Sequence, residues 1–244
     1  MARASGIRLR RAASLTSLAA IGVYAAPAAA CICPPIGRVF GIATALADRH
    51  AIALTFDDGP HPQGTPAVLS QLARYNVSAT FFLSGAQVAR YPEVAQEIHA
   101  AGHEIALHGY THRLQLVCGP AVTIDEIVRS RDEVARATGV VAERYRPPYG
   151  VANGAAILAA RTLRLQVVVW SRWGRDWKRD ATPLTITTHA TRCLRGGEIV
   201  LLHDADHYAT HNSWRATADS VGRIIETAWE LGLAVRSIRE VGAR

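Results

Sequence analysis

From residue 50 onward the chain alternates strand-like and helix-like segments, and no other feature limits the fold as tightly. Strand-like runs cover 51–56, 77–83, 103–108, 143–146, 166–170, 198–203 and 233–238. Helix-like segments cover roughly 66–75, 92–101, 124–138, 154–163, 183–195 and 214–231. Thr65-Pro66 and Thr182-Pro183 each put a hydroxyl cap before a proline at the first helical position. Thr123-Ile124-Asp125-Glu126 has the form of a capping box. Gly102, Gly139 and Gly232 stop helical runs. Repeated βα alternation implies an α/β fold with a mainly parallel sheet and helices outside. With about seven parallel strands, a closed or nearly closed (β/α) barrel competes with an open doubly wound sheet. The stretch after the first strand reads Asp-Asp-Gly-Pro-His-Pro, with no glycine-rich dinucleotide fingerprint, which weighs against a Rossmann domain.

The amino terminus reads as an export signal. Arg3, Arg8, Arg10 and Arg11 precede an apolar stretch, Ala12 to Tyr24, and then Ala28-Ala29-Ala30. That is the charged, apolar and small-residue order of a cleavable signal over residues 1–30. The chain is expected to be exported, either secreted or held at the cell envelope. Membrane association is expected only if the segment stays uncleaved or if Cys31 is lipidated. The four arginines supply more than half of the +7 formal charge, and no basic stripe with interleaved aromatics follows, so nucleic acid is not an expected partner. Residues 31–47 read as a connecting segment and 48–244 as one domain. Cys31, Cys33, Cys118 and Cys193 allow three disulfide pairings and receive no catalytic role.

The polar residues fall in one place on this map. Asp57 and Asp58 end the first strand, His108 the third, Arg146 the fourth and His203 the sixth. His112 follows the third strand and Asp176 the fifth. The carboxyl ends of the strands are where an α/β barrel builds its active site. Adjacent carboxylates repel unless a positive charge sits beside them, and a divalent metal supplies one. His108 and His112 are four apart, so on a helical turn both rings face one way. The pairs His99/His103, His203/His207 and His207/His211 share that spacing, so spacing alone does not select a site. Two histidines with Asp58 suit Zn²⁺ acting on water, and the same donor set could hold Fe(II).

Five segments, in order, carry a family likeness: Thr55–Pro60, His108–His112, Arg146-Pro147-Pro148-Tyr149, Asp176-Trp177 and Leu201-Leu202-His203. With them the chain resembles the polysaccharide deacetylases of carbohydrate esterase family 4, which share the NodB homology domain, over roughly residues 48–240. The resemblance implies a distorted (β/α) barrel and hydrolysis of an N-acetyl group, a carbon–nitrogen but not a peptide bond, on an extracellular or cell-wall amino-sugar polymer. It implies one divalent metal held by Asp58, His108 and His112, zinc first, with cobalt or manganese as alternatives. It implies Asp57 as base, Arg146 positioning Asp57, His203 as acid and Asp176 orienting His203. Tyr149 would offer its backbone N–H to the oxyanion, and Trp177 and Leu201 would line the acetyl pocket. The chain departs from the pattern at Trp173, where the family usually has another aspartate, and at Arg113, where it often has proline. Neither receives a role, nor does the polar loop 204–214. Other readings on the same scaffold are an O-acetyl esterase, another metal-dependent amidase and an inactive glycan-binding module.

Overall fold

The computed structural model describes residues 22–31 and 33–244. The export segment read in residues 1–30 therefore lies for the most part outside the described residues, and so does the side chain of Cys31. No described helix is long and apolar enough to cross a membrane. Cys33, Cys118 and Cys193 carry free thiols.

Among the described residues, nine short strands form one all-parallel sheet. They are β1 Ile42–Ala43, β2 Ala51–Asp57, β3 Thr80–Leu83, β4 Glu104–Leu107, β5 Arg144–Tyr145, β6 Gln166–Val168, β7 Arg172–Trp173, β8 Ile199–His203 and β9 Ala234–Val235. The pairing path runs β1-β6-β5-β4-β3-β2-β8-β7, with β9 beside β2. β6 pairs with β1 and β5, and four residues later the same stretch of chain, as β7, pairs with β8. The barrel is thus closed by chain continuity at Val169–Ser171 rather than by a ladder. Two strands escaped the sequence reading, β1 and β7, each of two residues and too short to show a period. β1 and the helix Pro34–Phe40 also correct the assignment of 31–47 as a plain connector.

Strand side chains alternate between two faces. On β2, Ile52, Leu54 and Phe56 face the helices, while Ala53 faces inward with Ala43, Phe82, Ala106, Val168 and Ile199. Truncating Phe82 to alanine is expected to cost about 3–5 kcal/mol. Thr55 and Asp57 continue the inward row of β2 toward its carboxyl end.

The six helices read in the sequence form close to their expected positions, two starts differ in detail, and the short helices Gly85–Arg90 and Ile238–Val241 were not read. Thr182 caps the helix Pro183–Thr191 in a reciprocal box with Thr185, as its sequence implies. The helix Gly64–Arg74 instead begins before Thr65. His61 Nδ1 accepts the N–H groups of Gln63 and Gly64, at 3.2 and 2.9 Å, and the Thr65 hydroxyl turns to Asp204. The helix Pro120–Thr138 begins three residues before Thr123, so the expected capping box is interior. Its two polar members work elsewhere. Thr123 Oγ1 accepts from Asn153 Nδ2 at 3.0 Å, and Glu126 reaches the loop after β4.

Candidate active site

Asp57 is the last residue of β2 and points inward. In a regular strand Asp58 would face the other way. Its φ of 76° turns the chain so that both carboxylates reach one site. Aspartate tolerates this left-handed conformation better than most residues. Next to it, a side chain on Gly59 would collide with the Asp204 carboxylate, 2.5 Å from the position of a Cβ. Glycine is therefore required where this loop turns.

Arg146, fully buried, donates from Nη1 to Asp57 Oδ1 at 2.6 Å and to Thr55 Oγ1 at 2.8 Å. Its Nε donates to the Val168 carbonyl at 3.3 Å, and the guanidinium lies 3.9 Å over the Phe82 ring. Burial pushes the Asp57 carboxyl up from its ordinary range, and Arg146 is the strongest influence pulling it back. Asp58 lacks such a partner. Burial raises it to about 7, with the neighbouring Asp57 adding to the rise.

His108 Nδ1 lies 2.9 Å from the Arg146 carbonyl, which can only accept. The proton therefore sits on Nδ1, and the Nε2 lone pair faces Asp58 Oδ1 at 3.5 Å. His112 Nε2 approaches the same oxygen at 3.2 Å. Burial depresses both imidazoles to about 3, so both are neutral and able to ligate. The four-residue spacing is not that of a helical turn, as the sequence suggested. Residues 109–112 form a loop with positive φ at Gly109 and His112. Glu126 holds this loop, accepting the N–H groups of Tyr110 and Thr111 at 3.1 and 2.7 Å and the Thr111 hydroxyl at 2.6 Å.

Asp58, His108 and His112 bring three ligand atoms within 4.8 Å of one another, and no other such group occurs among the described residues. Asp58 Oδ1 is buried without a hydrogen-bond donor. An orphaned carboxylate oxygen facing two neutral imidazole nitrogens is the donor set a divalent cation fits. The other histidines lie elsewhere. His103 Nδ1 accepts from the Ala79 N–H, while His61 and His211 gather around Asp206. His207 bonds to the Pro60 carbonyl.

His203 ends β8 with Nδ1 2.9 Å from Asp176 Oδ1. Asp176 is fixed in turn, its Oδ2 accepting the His203 N–H at 2.7 Å and the Thr217 hydroxyl at 2.9 Å. Burial works against the imidazolium, but Asp176 outweighs it and His203 rises to about 10. With Nδ1 committed to Asp176, Nε2 faces the site, 4.0 Å from Asp58 Oδ2. Trp177 meets the His203 ring edge-on at 5.6 Å.

These groups line a cleft of about 540 Å³ together with Tyr149, Leu201, Trp170, Trp173, Tyr208, Ala209 and Thr210. All ten site residues expected from the sequence are brought together. Eight line the cleft, while Arg146 and Asp176 stand behind Asp57 and His203. Sequence reasoning gave no role in the site to Glu126, Asp204, Trp170, Trp173 or Tyr208. Tyr208 stacks on His112 with ring centres 4.2 Å apart, and Tyr149 meets the same ring edge-on at 4.6 Å. Asp204, beside His203 in sequence, was a readable signal for a charge at a strand end.

Residues 46–168 match the family model described as polysaccharide deacetylase, about half of the chain. The chain belongs to the polysaccharide deacetylase family. Asp57, Asp58, His108, His112, Arg146 and Tyr149 lie within the matched residues, and the fold brings Asp176, Trp177, Leu201 and His203 to them. A chitooligosaccharide deacetylase of Bradyrhizobium sp. (strain ANU 289) is 38% identical over 160 residues, 65% of this chain and 73% of that protein. One from Sinorhizobium fredii (strain NBRC 101917 / NGR234) is 34% identical over 194 residues, 77% of this chain and 90% of its own. Among solved structures, the Bc1960 peptidoglycan N-acetylglucosamine deacetylase superposes with a TM-score of 0.78 at 25% identity. The match covers 84% of this chain and 94% of that one.

Proposed function

We propose that the protein is a metal-dependent N-deacetylase of an amino-sugar polymer outside the cell or in its wall. The observation that carries this reading is the flanking of one cation-fitting cluster by two unlike groups. Asp57 is a carboxylate held by an arginine, and His203 is an imidazole held protonated by a carboxylate. An acceptor carboxylate on one side and a proton-bearing imidazole on the other divide into base and acid. The names of the relatives, chitooligosaccharide and peptidoglycan deacetylases, support the substrate class.

Asp58, His108 and His112 would hold the cation, with zinc preferred and cobalt or manganese as alternatives. Once bound, it would polarise the acetyl carbonyl and lower the pKa of water. Asp57 takes the proton of the attacking water, and Arg146 keeps it oriented and ionised to do so. The Tyr149 backbone N–H meets the oxyanion that forms on the carbonyl. His203 gives its Nε2 proton to the departing amine, which leaves poorly unless protonated. Asp176 then supports the imidazole in taking a proton back. Trp177 and Leu201 exclude water from the acetyl methyl.

The test is acetate release by residues 31–244 with added Zn²⁺ on N-acetylated chitotetraose, peptidoglycan and O-acetylated xylan. Release from an N-acetylated member supports the reading. Release from the xylan alone replaces it with an O-acetyl esterase.

A further inference from the structure

From Trp177 the aromatic wall of the cleft continues to Trp173 and Trp170. Trp173 meets Trp177 edge-on with ring centres 6.4 Å apart, and Trp170 lies 6.1 Å from Trp173. Trp173 is paired with Leu201 in the β7–β8 ladder, so both side chains leave the sheet on the cleft side. Leu201 is buried there, whereas Trp173 remains 38% exposed.

Trp173 and Trp170 also wall a second hollow of about 300 Å³, completed by Ser171, Arg172 and His189. β7 is the last strand of the pairing path, so the hollow opens at the barrel seam, where no further strand among the described residues pairs with it. Arg172 is occupied. It pairs with Glu198 through Nε and Nη2, at 2.6 and 2.8 Å, and donates to the Arg192 carbonyl at 2.5 Å. The hollow therefore offers indole faces, a hydroxyl and an exposed imidazole, without a free arginine charge. An apolar face edged by a few polar groups suits a pyranose, whose C–H face packs on an indole while its hydroxyls reach the rim. An aspartate at position 173, as the family pattern leads one to expect, would offer no such face.

We propose that Trp173, backed by Trp170, is a stacking subsite for a neutral pyranose whose acetylated neighbour in the same glycan occupies the catalytic cleft. This rests on the deacetylase reading of the cleft and adds that the substrate is recognised as an oligomer.

The experiment reads binding rather than turnover. The Asp57→Asn protein is titrated with N-acetylated chitotetraose and, separately, with N-acetylglucosamine, while the indole N–H signals of its five tryptophans are followed by NMR. Trp173→Phe and Trp170→Phe assign the two signals. Both are expected to shift with the tetraose and not with the monosaccharide. Trp173→Ala is expected to reduce the preference for tetraose over monosaccharide about fivefold, and Trp173→Phe by less. The phenylalanine variant keeps the comparison open should the alanine variant misfold. Tetraose binding that moves neither signal, an unchanged preference, or no binding at millimolar tetraose each overturns the subsite. Failure of the deacetylase reading appears separately, as indole shifts without acetate release by the protein that retains Asp57.

Discussion

Arg146 Nη1 lies 2.6 Å from Asp57 Oδ1, and both side chains are almost wholly removed from water. The pair joins the barrel interior to the cleft, because the same guanidinium rests on Phe82 and bonds to Thr55. Arg146→Met leaves a buried carboxylate without its charge partner, so stability is expected to fall by about 3–5 kcal/mol. Acetate release should fall with it, as Asp57 gains a proton. Arg146→Lys keeps the charge without the fork and should lie between. Urea unfolding of the three proteins checks this. A methionine variant within about 0.5 kcal/mol of the parent would contradict it.

The His203–Asp176 pair sets a pH limit. His203, raised to about 10, keeps its proton through the neutral range. The stabilisation from this pair is fully present below the ordinary imidazole range and is lost as pH rises toward 10. Asp176→Asn removes the charge while leaving a side chain of similar shape. The alkaline limb of the rate profile should then move down by about one unit or more. A limb that stays in place would show that it belongs to another group.

Glu126 is expected to matter for metal binding without touching the ligands. It fixes Tyr110 and Thr111, which sit between His108 and His112. Glu126→Ala should weaken zinc affinity about 10–100-fold, measured by competition with a chromogenic chelator. Unchanged affinity would mean that the loop holds its shape alone.

His103 gives a prediction away from the cleft. Burial beneath the sheet lowers it to about 4. A histidine kept neutral in the fold contributes stability above its ordinary pKa, and that contribution is lost as pH falls toward 4. Melting temperature should therefore drop between pH 6.5 and 4, and less steeply in His103→Gln. Equal slopes in the two proteins would assign the acid sensitivity elsewhere.

The strand-end residues were legible because parallel strands with outside helices bring all their carboxyl ends to one rim. Asp57, His108, Arg146 and His203 needed only that rule to be grouped. What sequence did not disclose depends on backbone turns and on side chains that act across the fold. The φ of 76° at Asp58 overrides strand alternation, and nothing in the run Asp-Asp-Gly-Pro announces its sign. Glu126 fitted a local capping rule, yet its carboxylate finds better donors in a loop sixteen residues earlier in the chain. Trp173 sits on a two-residue strand whose partner, β8, lies far along the chain, so its place beside Leu201 follows from register alone.

Acetate release from N-acetylated chitotetraose, by protein dialysed against a chelator and then given back one equivalent of Zn²⁺, tests the central claim most directly. The account predicts no release without metal, release on its return, and none in Asp57→Asn although that protein still binds zinc. Equal release before and after metal return, or an active Asp57→Asn protein, would contradict it.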